Sequence, residues 1–329
     1  MDRRGFLGAF AAFAGTAAFA PSALAKTVSR PKLDPNLVVL FSDSHVNGHQ
    51  DKYLQHSRKH LQNVVANILR LDPLPAHAIH FGDLAYLWGH KEDYVLAREL
   101  LEPLAAAGVK IAIGMGNHDR RSAFLEAFPE YAESTLFPGR IVSEVDAGAV
   151  DFIMLDGLAG SDARAPNDSG PVSGSLCAAQ EEWHALDLPR RERPFFVCSH
   201  WPAWALKAGN SDFRKLLLAC PMAAGYIYGH VHRWQRDFIH DGFAAPDILK
   251  SLALPSTGLW GDIGFALMRI DGGTATVSLR QHDFFFPNPA ATGAVAYKET
   301  WKTMIRENKN QTCSFVLPGT AGRRTPQPQ

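Results

Sequence analysis

The chain is short of the features that announce a function by themselves. Its four cysteines, Cys177, Cys198, Cys220 and Cys313, form no CxxC pair and no zinc-finger spacing. That excludes a thiolate metal knot, a thioredoxin-type redox centre and a small disulfide-built scaffold. Cys198 lies in the apolar run Phe195-Phe196-Val197-Cys198 and reads as a small core residue. Charge of neither sign is in excess, with Lys+Arg and Asp+Glu at 33 each, so no basic field gathers duplex nucleic acid and no acidic field gathers a basic partner. Beyond residue 25 no apolar run approaches a membrane span, so no stable membrane insertion is expected of the mature chain. Repeats and internal linkers are lacking too. What is present is a 329-residue chain, 46% hydrophobic, long enough for one large α/β domain or two small ones.

The first residues differ in kind from the rest. Asp2-Arg3-Arg4-Gly5-Phe6-Leu7 precedes an Ala/Phe/Gly-rich stretch to Ala20, and Pro21-Ser22-Ala23-Leu24-Ala25 ends in a small-x-small cleavage site. This resembles a twin-arginine export signal over residues 1–25, with Gly8 where the usual trailing lysine would stand. The resemblance implies the twin-arginine translocase as a partner during export and a periplasmic or secreted location. It also implies folding before transport, often around a cofactor.

Along the chain, apolar runs alternate with amphipathic segments. Leu37–Phe41 reads as a buried strand, too short and too β-branched for a helix. From Tyr53 to Leu71, apolar residues at Leu61, Val64, Val65, Ile68 and Leu69 have helical spacing, and Pro73 closes the segment. Residues 76–81 read as a strand, 94–107 as a helix and 109–113 as a strand. Further strands are expected at 149–155, 194–198 and 225–228, with helices at 178–186 and 213–218 between them. From there to residue 286 the pattern is strands without clear helices, which points to sheets layered with helices. Residues 157–175 read as a long loop. The boundaries drawn are a domain over 36–286 and a C-terminal extension over 287–329 that ends in a disordered tail from Pro318.

Five of the expected strands end in residues able to bind a metal: Asp43 and His45, Asp83, Asn117 and His118, His200, and His230 and His232. Taken singly each is weak, because an Asp-x-His or Gly-Asp is usually a turn and a buried histidine usually a core hydrogen-bonder. Strand ends of an open α/β sheet converge on one crevice, however, and five in series make coincidence a poor explanation. Carboxylate, amide and imidazole without thiolate suit manganese, iron or zinc.

The set Asp43-x-His45, Gly82-Asp83, Gly116-Asn117-His118-Asp119, His200 and Gly229-His230-x-His232 resembles the calcineurin-like metallophosphoesterases, over about residues 36–285. The stretch Gly174-x-Leu176-x-x-x-Gln180-x-x-Trp183 resembles their cyclic nucleotide and glycerophosphodiester phosphodiesterases, although the usual His-His-Pro appears as Ser199-His200-Trp201-Pro202. The resemblance implies a four-layer αββα sandwich of two mixed β-sheets flanked by helices. It puts Asp43, His45 and His232 on one ion and Asn117, His200 and His230 on a second, with Asp83 bridging two divalent or mixed-valence transition metal ions. A bridging hydroxide would attack a small-molecule phosphoester in line. Asn117 and His118 would face the substrate, His118 as general acid or charge stabiliser. Asp119 could orient that imidazole or cap the helix expected near Ser122.

A second resemblance competes. Gly82-Asp83-Leu84-Ala85-Tyr86 and Val197-Cys198-Ser199-His200 fit the purple acid phosphatases, monoesterases whose tyrosinate binds iron(III), but His45 would fill the position that Tyr86 needs. A non-catalytic binding member of the fold is the other alternative, and the filled ligand set argues against it. His49, His56, His60 and His90 read as exposed, with His49 and His90 near enough to touch substrate. Arg120 and Arg121 read as phosphate partners or a solvated helix start, and Arg190–Arg193 as a solvated loop. Trp201 and Trp204 read as cleft walls or packing.

Overall fold

The computed structural model describes residues 31–48, 55–158, 174–206, 213–240, 248–259, 261–280 and 311–319. The export signal, His49, most of the 157–175 loop and the tail beyond 319 lie outside the described residues. In chain order the first half runs β1 (Leu33–Phe41), α1 (Gln55–Leu69), β2 (Leu74–His80), α2 (Lys91–Ala106), β3 (Lys110–Ile113), α3 (Arg121–Ala127), α4 (Glu130–Ser134), β4 (Ser143–Asp146) and β5 (Asp151–Met154). The second half runs α5 (Ala178–Asp187), β6 (Phe195–Ser199), α6 (Phe213–Ala219), β7 (Ala223–Tyr228), β8 (Gln235–His240), β9 (Ile248–Ala253), β10 (Phe265–Asp271), β11 (Thr274–Arg280) and β12 (Thr312–Val316).

Two six-stranded mixed sheets form, in the orders β12-β11-β10-β1-β2-β3 and β4-β5-β6-β7-β9-β8. The period-2 alternation of strands divides their side chains between two cores. Val38 and Leu40 of β1, with Phe152 and Met154 of β5 and Phe196 and Cys198 of β6, fill the space between the sheets. Val39, Phe41, Ile153, Phe195 and Val197 join the outer core, which α1 supplies with Leu61, Val64, Val65 and Ile68 and α2 with Tyr94, Ala97, Leu101 and Leu104. Helices α1 and α2 pack on the first sheet and α6 on the second. The result is the four-layer sandwich. No helix among the described residues is long and apolar enough to cross a membrane.

The structure corrects three expectations. The first sheet is closed by β12, drawn from inside the expected C-terminal extension and antiparallel to β11 from Thr274↔Val316 to Ser278↔Thr312. Its alternation, with Cys313 and Phe315 buried and Thr312, Ser314 and Val316 exposed, is too brief to read without its partner. The arginine run is not a loose solvated loop. Arg191 takes both oxygens of Glu144 at 3.0 Å and Asp187 at 2.8 Å, while Arg193 reaches Asp146 at 2.8 Å and Asp151 at 3.0 Å. Together they tie α5 to the β4–β5 edge. His60 is fully buried, and its Nδ1–H donates to the Gly258 carbonyl at 2.6 Å.

His184, inside α5, is buried edge-on against Trp183 and Phe213, and neither ring nitrogen has a hydrogen-bond partner. Burial holds its pKa down from 6.5 to about 3. The unfolded chain therefore takes up this proton first, so the contribution to stability is intact above about pH 6.5 and declines as pH falls toward 3. The slope from this one group reaches about 1.4 kcal/mol per pH unit. His184→Phe is expected to raise the melting temperature, and by more at pH 5 than at pH 8. Thermal unfolding at both values checks this, and an equal gain at the two would refute it.

Candidate metal centre

The site forms where the carboxyl ends of β1, β2, β3, β6 and β7 meet, and its backbone is unusual. Among the described residues, six other than glycine have positive φ: Asp43 (54°), His45 (45°), Asp83 (52°), Leu87 (39°), His230 (68°) and His232 (53°). Five of these six are expected ligands. Left-handed backbone just past a strand turns the chain back, and that is how residues two apart, such as Asp43 and His45, both face the crevice. Such conformations cost about 1–3 kcal/mol each and persist only where surrounding contacts enforce them.

Two donor groups result. In the first, His232 Nε2 lies 3.2 Å from Asp43 Oδ1 and 3.3 Å from His45 Nε2. In the second, Asn117 Oδ1 lies 3.0 Å from His200 Nε2 and 2.8 Å from His230 Nδ1, with the two nitrogens 3.2 Å apart. Asp83 Oδ2 stands between them, 3.8 Å from His45 Nε2 and 3.3 Å from His200 Nε2. Ligand atoms at about 2.1 Å from a shared ion stand about 3.0–3.4 Å from each other; the spacings within each group are close to this, and Asp83 Oδ2 meets it toward His200 at 3.3 Å and stands wider from His45 at 3.8 Å. The imidazoles of His45, His200, His230 and His232 each turn a nitrogen inward, and Asp43 Oδ1 is buried without a hydrogen-bond partner, as a donor reserved for an ion would be.

Each carboxylate divides its two oxygens. Asp83 Oδ1 accepts the His118 N–H at 2.8 Å and Asp43 Oδ2 accepts the His230 N–H at 3.1 Å, leaving one oxygen of each for metal. Gly116 is required here, because a Cβ would overlap Asp83 Oδ1 and backbone N. His200 donates Nδ1–H to the Phe81 carbonyl at 2.9 Å, which fixes Nε2 as the ligating nitrogen.

Burial and the other imidazoles hold His45 down at about 3 and His230 at about 4. Burial also works against a charged His200, but Asp83 and Asp43 overcome it and raise that ring to about 9. The carboxyls of Asp43 and Asp83 are themselves pushed up by burial, yet the facing imidazoles leave both well below the usual range. Without metal, a His200 proton thus partly balances two buried carboxylates. A cation takes over that role, because imidazole ligates in its neutral form.

His118 sits on the rim, its side chain 19% exposed and its Nε2 3.9 Å from Asp83 Oδ2. Its ring meets His45 edge-on at 5.1 Å. The expectation for Asp119 needs correcting. Its carboxylate does not orient the imidazole and does not cap a helix. It is buried and accepts the N–H groups of Gly116 (2.8 Å), Ala85 (3.1 Å) and Leu84 (3.4 Å) and the Tyr94 O–H (3.1 Å). Burial and the nearby Asp83 charge push its carboxyl up to about 6. Asp119 therefore clamps the Asp83 loop to the Asn117 loop. The group that orients His118 is the Leu87 carbonyl, which accepts Nδ1–H at 3.0 Å.

Arg121 is also corrected. It is buried and forks onto Asp156, Nε–Oδ2 at 2.6 Å and Nη2–Oδ1 at 2.7 Å. Arg120 is half-buried at the N-cap of α3, where its N–H bonds the Tyr94 oxygen at 2.7 Å. His90 is exposed at the N-cap of α2, and Asp93 accepts its N–H at 3.1 Å. Trp201 is buried and Trp204 is 70% exposed. Tyr86 is half-buried and bonds the Val46 carbonyl through its N–H at 3.0 Å, while His45 takes the position beside Asp83.

Several supports escaped the sequence reading. His80 bonds Ser44 Oγ at 2.9 Å under the Asp43 turn, and Ser256 Oγ donates to the Asp43 carbonyl at 3.0 Å. Asp262 donates its N–H to the His232 carbonyl at 2.7 Å and accepts the Trp234 N–H at 2.7 Å. The available signal was the pair of histidines, His77 and His80, in an otherwise apolar strand.

Comparison with known proteins identifies the family. The pattern of the calcineurin-like phosphoesterases matches residues 37–234, more than half of the chain. The chain belongs to that family. A probable cyclic nucleotide phosphodiesterase of Rhodopseudomonas palustris is 28% identical over 218 residues, 64% of this chain and 68% of that protein. The crystal structure of a dimetal phosphatase from Danio rerio superposes with a TM-score of 0.57 at 16% identity, covering 75% of this chain and 97% of that one, which shows the shared fold.

Two outcomes test the donor assignment. Asp83→Ala is expected to lose both ions, since one carboxylate serves both groups and also keeps two cations from facing each other bare. Elemental analysis showing two ions retained would refute it. The wild-type protein is expected to lack a tyrosinate-to-iron charge-transfer band, and a visible band that Tyr86→Phe abolishes would make Tyr86 a ligand after all.

Proposed function

We propose that this family member is an exported binuclear metallohydrolase of small-molecule phosphodiesters. The supporting observation is the pairing of two donor groups around Asp83 Oδ2 with an imidazole, His118, at the rim beside the same oxygen. Asp43, His45 and His232 would hold one transition metal ion, and Asn117, His200 and His230 the other. Manganese, iron and zinc all suit this donor set. Such ions supply Lewis acidity and an activated water at neutral pH.

The chain's own groups do the rest. Because Nδ1–H of His118 is committed to the Leu87 carbonyl, Nε2 is the nitrogen turned to the substrate side. Protonated there, it can give its proton to the oxygen that leaves phosphorus. Asn117, held between His200 and His230, places its amide beside the phosphoryl group. A diester carries one negative charge where a monoester usually carries two. Of the two arginines that follow the Asn117–His118 loop and could match the second charge, one, Arg121, is spent on Asp156. This favours the diester, as does the likeness to a relative described as a probable cyclic nucleotide phosphodiesterase. The leader resembling a twin-arginine signal supports assembly of the centre before passage to the periplasm.

Diesters are therefore expected to be turned over faster than monoesters at neutral to alkaline pH, and activity confined to monoesters would overturn the reading. His118→Ala is expected to cost about 10²- to 10⁴-fold on a nucleoside or alkyl diester. On an aryl diester, whose leaving group needs little help, the loss should be much smaller. Equal losses on both would mean that His118 positions the phosphate and donates no proton.

A further inference from the structure

Trp201 follows the expected ligand His200 and is 2% exposed. Its indole meets the His200 ring edge-on, with centroids 5.0 Å apart at 89°, and lies 6.4 Å from the His230 ring at 38°. Among the described residues, the rings that His230 meets are these two, His200 and Trp201. The first donor group is built differently, with His45 against His232 at 5.2 Å and against His118.

Behind the indole is bare backbone. A Cβ on Gly157 would come within 2.7 Å of the ring, and one on Gly174 within 2.5 Å. These two glycines belong to the converging stems of one excursion of the chain. Leu158 bridges Gly174, and the Ser175 N–H bonds the Gly157 carbonyl at 2.8 Å. The Trp201 main chain is fastened as well, its N–H to Ser199 Oγ at 3.2 Å and its carbonyl to the Tyr226 O–H at 2.7 Å. A large rigid ring is thus fixed at its root, bounded by the two glycine stems, edge-on to His200 and beside the His230 ring.

We infer that Trp201 is the positioning residue of the second metal position, and that the Gly157–Gly174 clamp sets that position's affinity independently of the first. The inference rests on the binuclear reading. An imidazole binds well only when its lone pair points at the ion. His200 has a Phe81 anchor for its other nitrogen, but His230 ligates through Nδ1, and its ring depends on the wall it leans against. Packing at Gly157 and Gly174 thus reaches the second ion without touching a ligand.

The test is a calorimetric titration of metal-free protein with Mn²⁺ alone, for wild type, Trp201→Phe and Gly174→Ala, with elemental analysis at saturation. Wild type should take two ions. In Trp201→Phe the first ion should bind as in wild type and the second about tenfold to a hundredfold more weakly, the usual scale for losing a support behind a ligand. Gly174→Ala, which keeps the indole but pushes it from behind, should weaken the second ion in the same direction. Binding of the second ion should also change a tryptophan fluorescence component that Trp201→Phe removes. Two unchanged affinities in both variants, or equal weakening of both ions, would overturn the inference, the latter making Trp201 ordinary packing. A wild type that takes a single ion would overturn the binuclear reading and this inference with it.

Discussion

Seven donor atoms crowded into one largely buried crevice are the constraint on which the rest of the structure depends. Imidazole nitrogens aimed at each other across 3.2–3.3 Å, beside two buried carboxylates, repel unless a proton or a cation lies between them. Packing elsewhere has to hold them in place, and the left-handed backbone at Asp43, His45, Asp83, His230 and His232 shows the strain that this placement imposes. The opposing grip is local and polar: Asp119 on three N–H groups, Ser256 on the Asp43 carbonyl, Asp262 on the Trp234 and His232 main chains. The hydrophobic layers set where the strands end. These buried hydrogen bonds decide which way the chain turns once it has passed the end.

That division explains what could be read in the sequence. Strand cores such as Leu37–Phe41 and Phe195–Cys198 declare themselves by β-branched and aromatic runs, and the polar residues that end them are visible because so little else interrupts an apolar run. The convergence of Asp43, His45, Asp83, Asn117, His200, His230 and His232 follows from that grammar together with the family resemblance. Roles that depend on which way a side chain swings are a different matter. Asp119 adjoins His118 in sequence yet points back into the loops, and Arg121 turns inward to Asp156 because α3 buries that face. His118 takes its orientation from a main-chain carbonyl, and main chain has no residue letter to read. Strand β12 escaped because its register exists only against β11, and Arg191 and Arg193 because their carboxylate partners come from other elements.

The division of oxygens in Asp43 and Asp83 links the metal positions to the loops around them. One oxygen of each holds an N–H of another site loop, His230 for Asp43 and His118 for Asp83. Shifting either carboxylate therefore shifts a second element of the site with it. Asp83 in particular touches the donor groups and the rim residue His118, so a shift of its carboxylate displaces both.

The order of strands in the first sheet has a consequence in time. Its central strand, β1, lies between β2 and β10, so one neighbour is made within a few dozen residues and the other only when Phe265–Asp271 has been synthesised. The outer position waits longer still, for Thr312–Val316. Asp43 likewise waits for His230 and His232 before the first donor group exists. A chain still emerging from the ribosome thus holds an unpaired sheet edge and an incomplete set of ligands, and such high-contact-order assembly is slow. The donor groups are therefore completed only after most of the strands that carry them have been made.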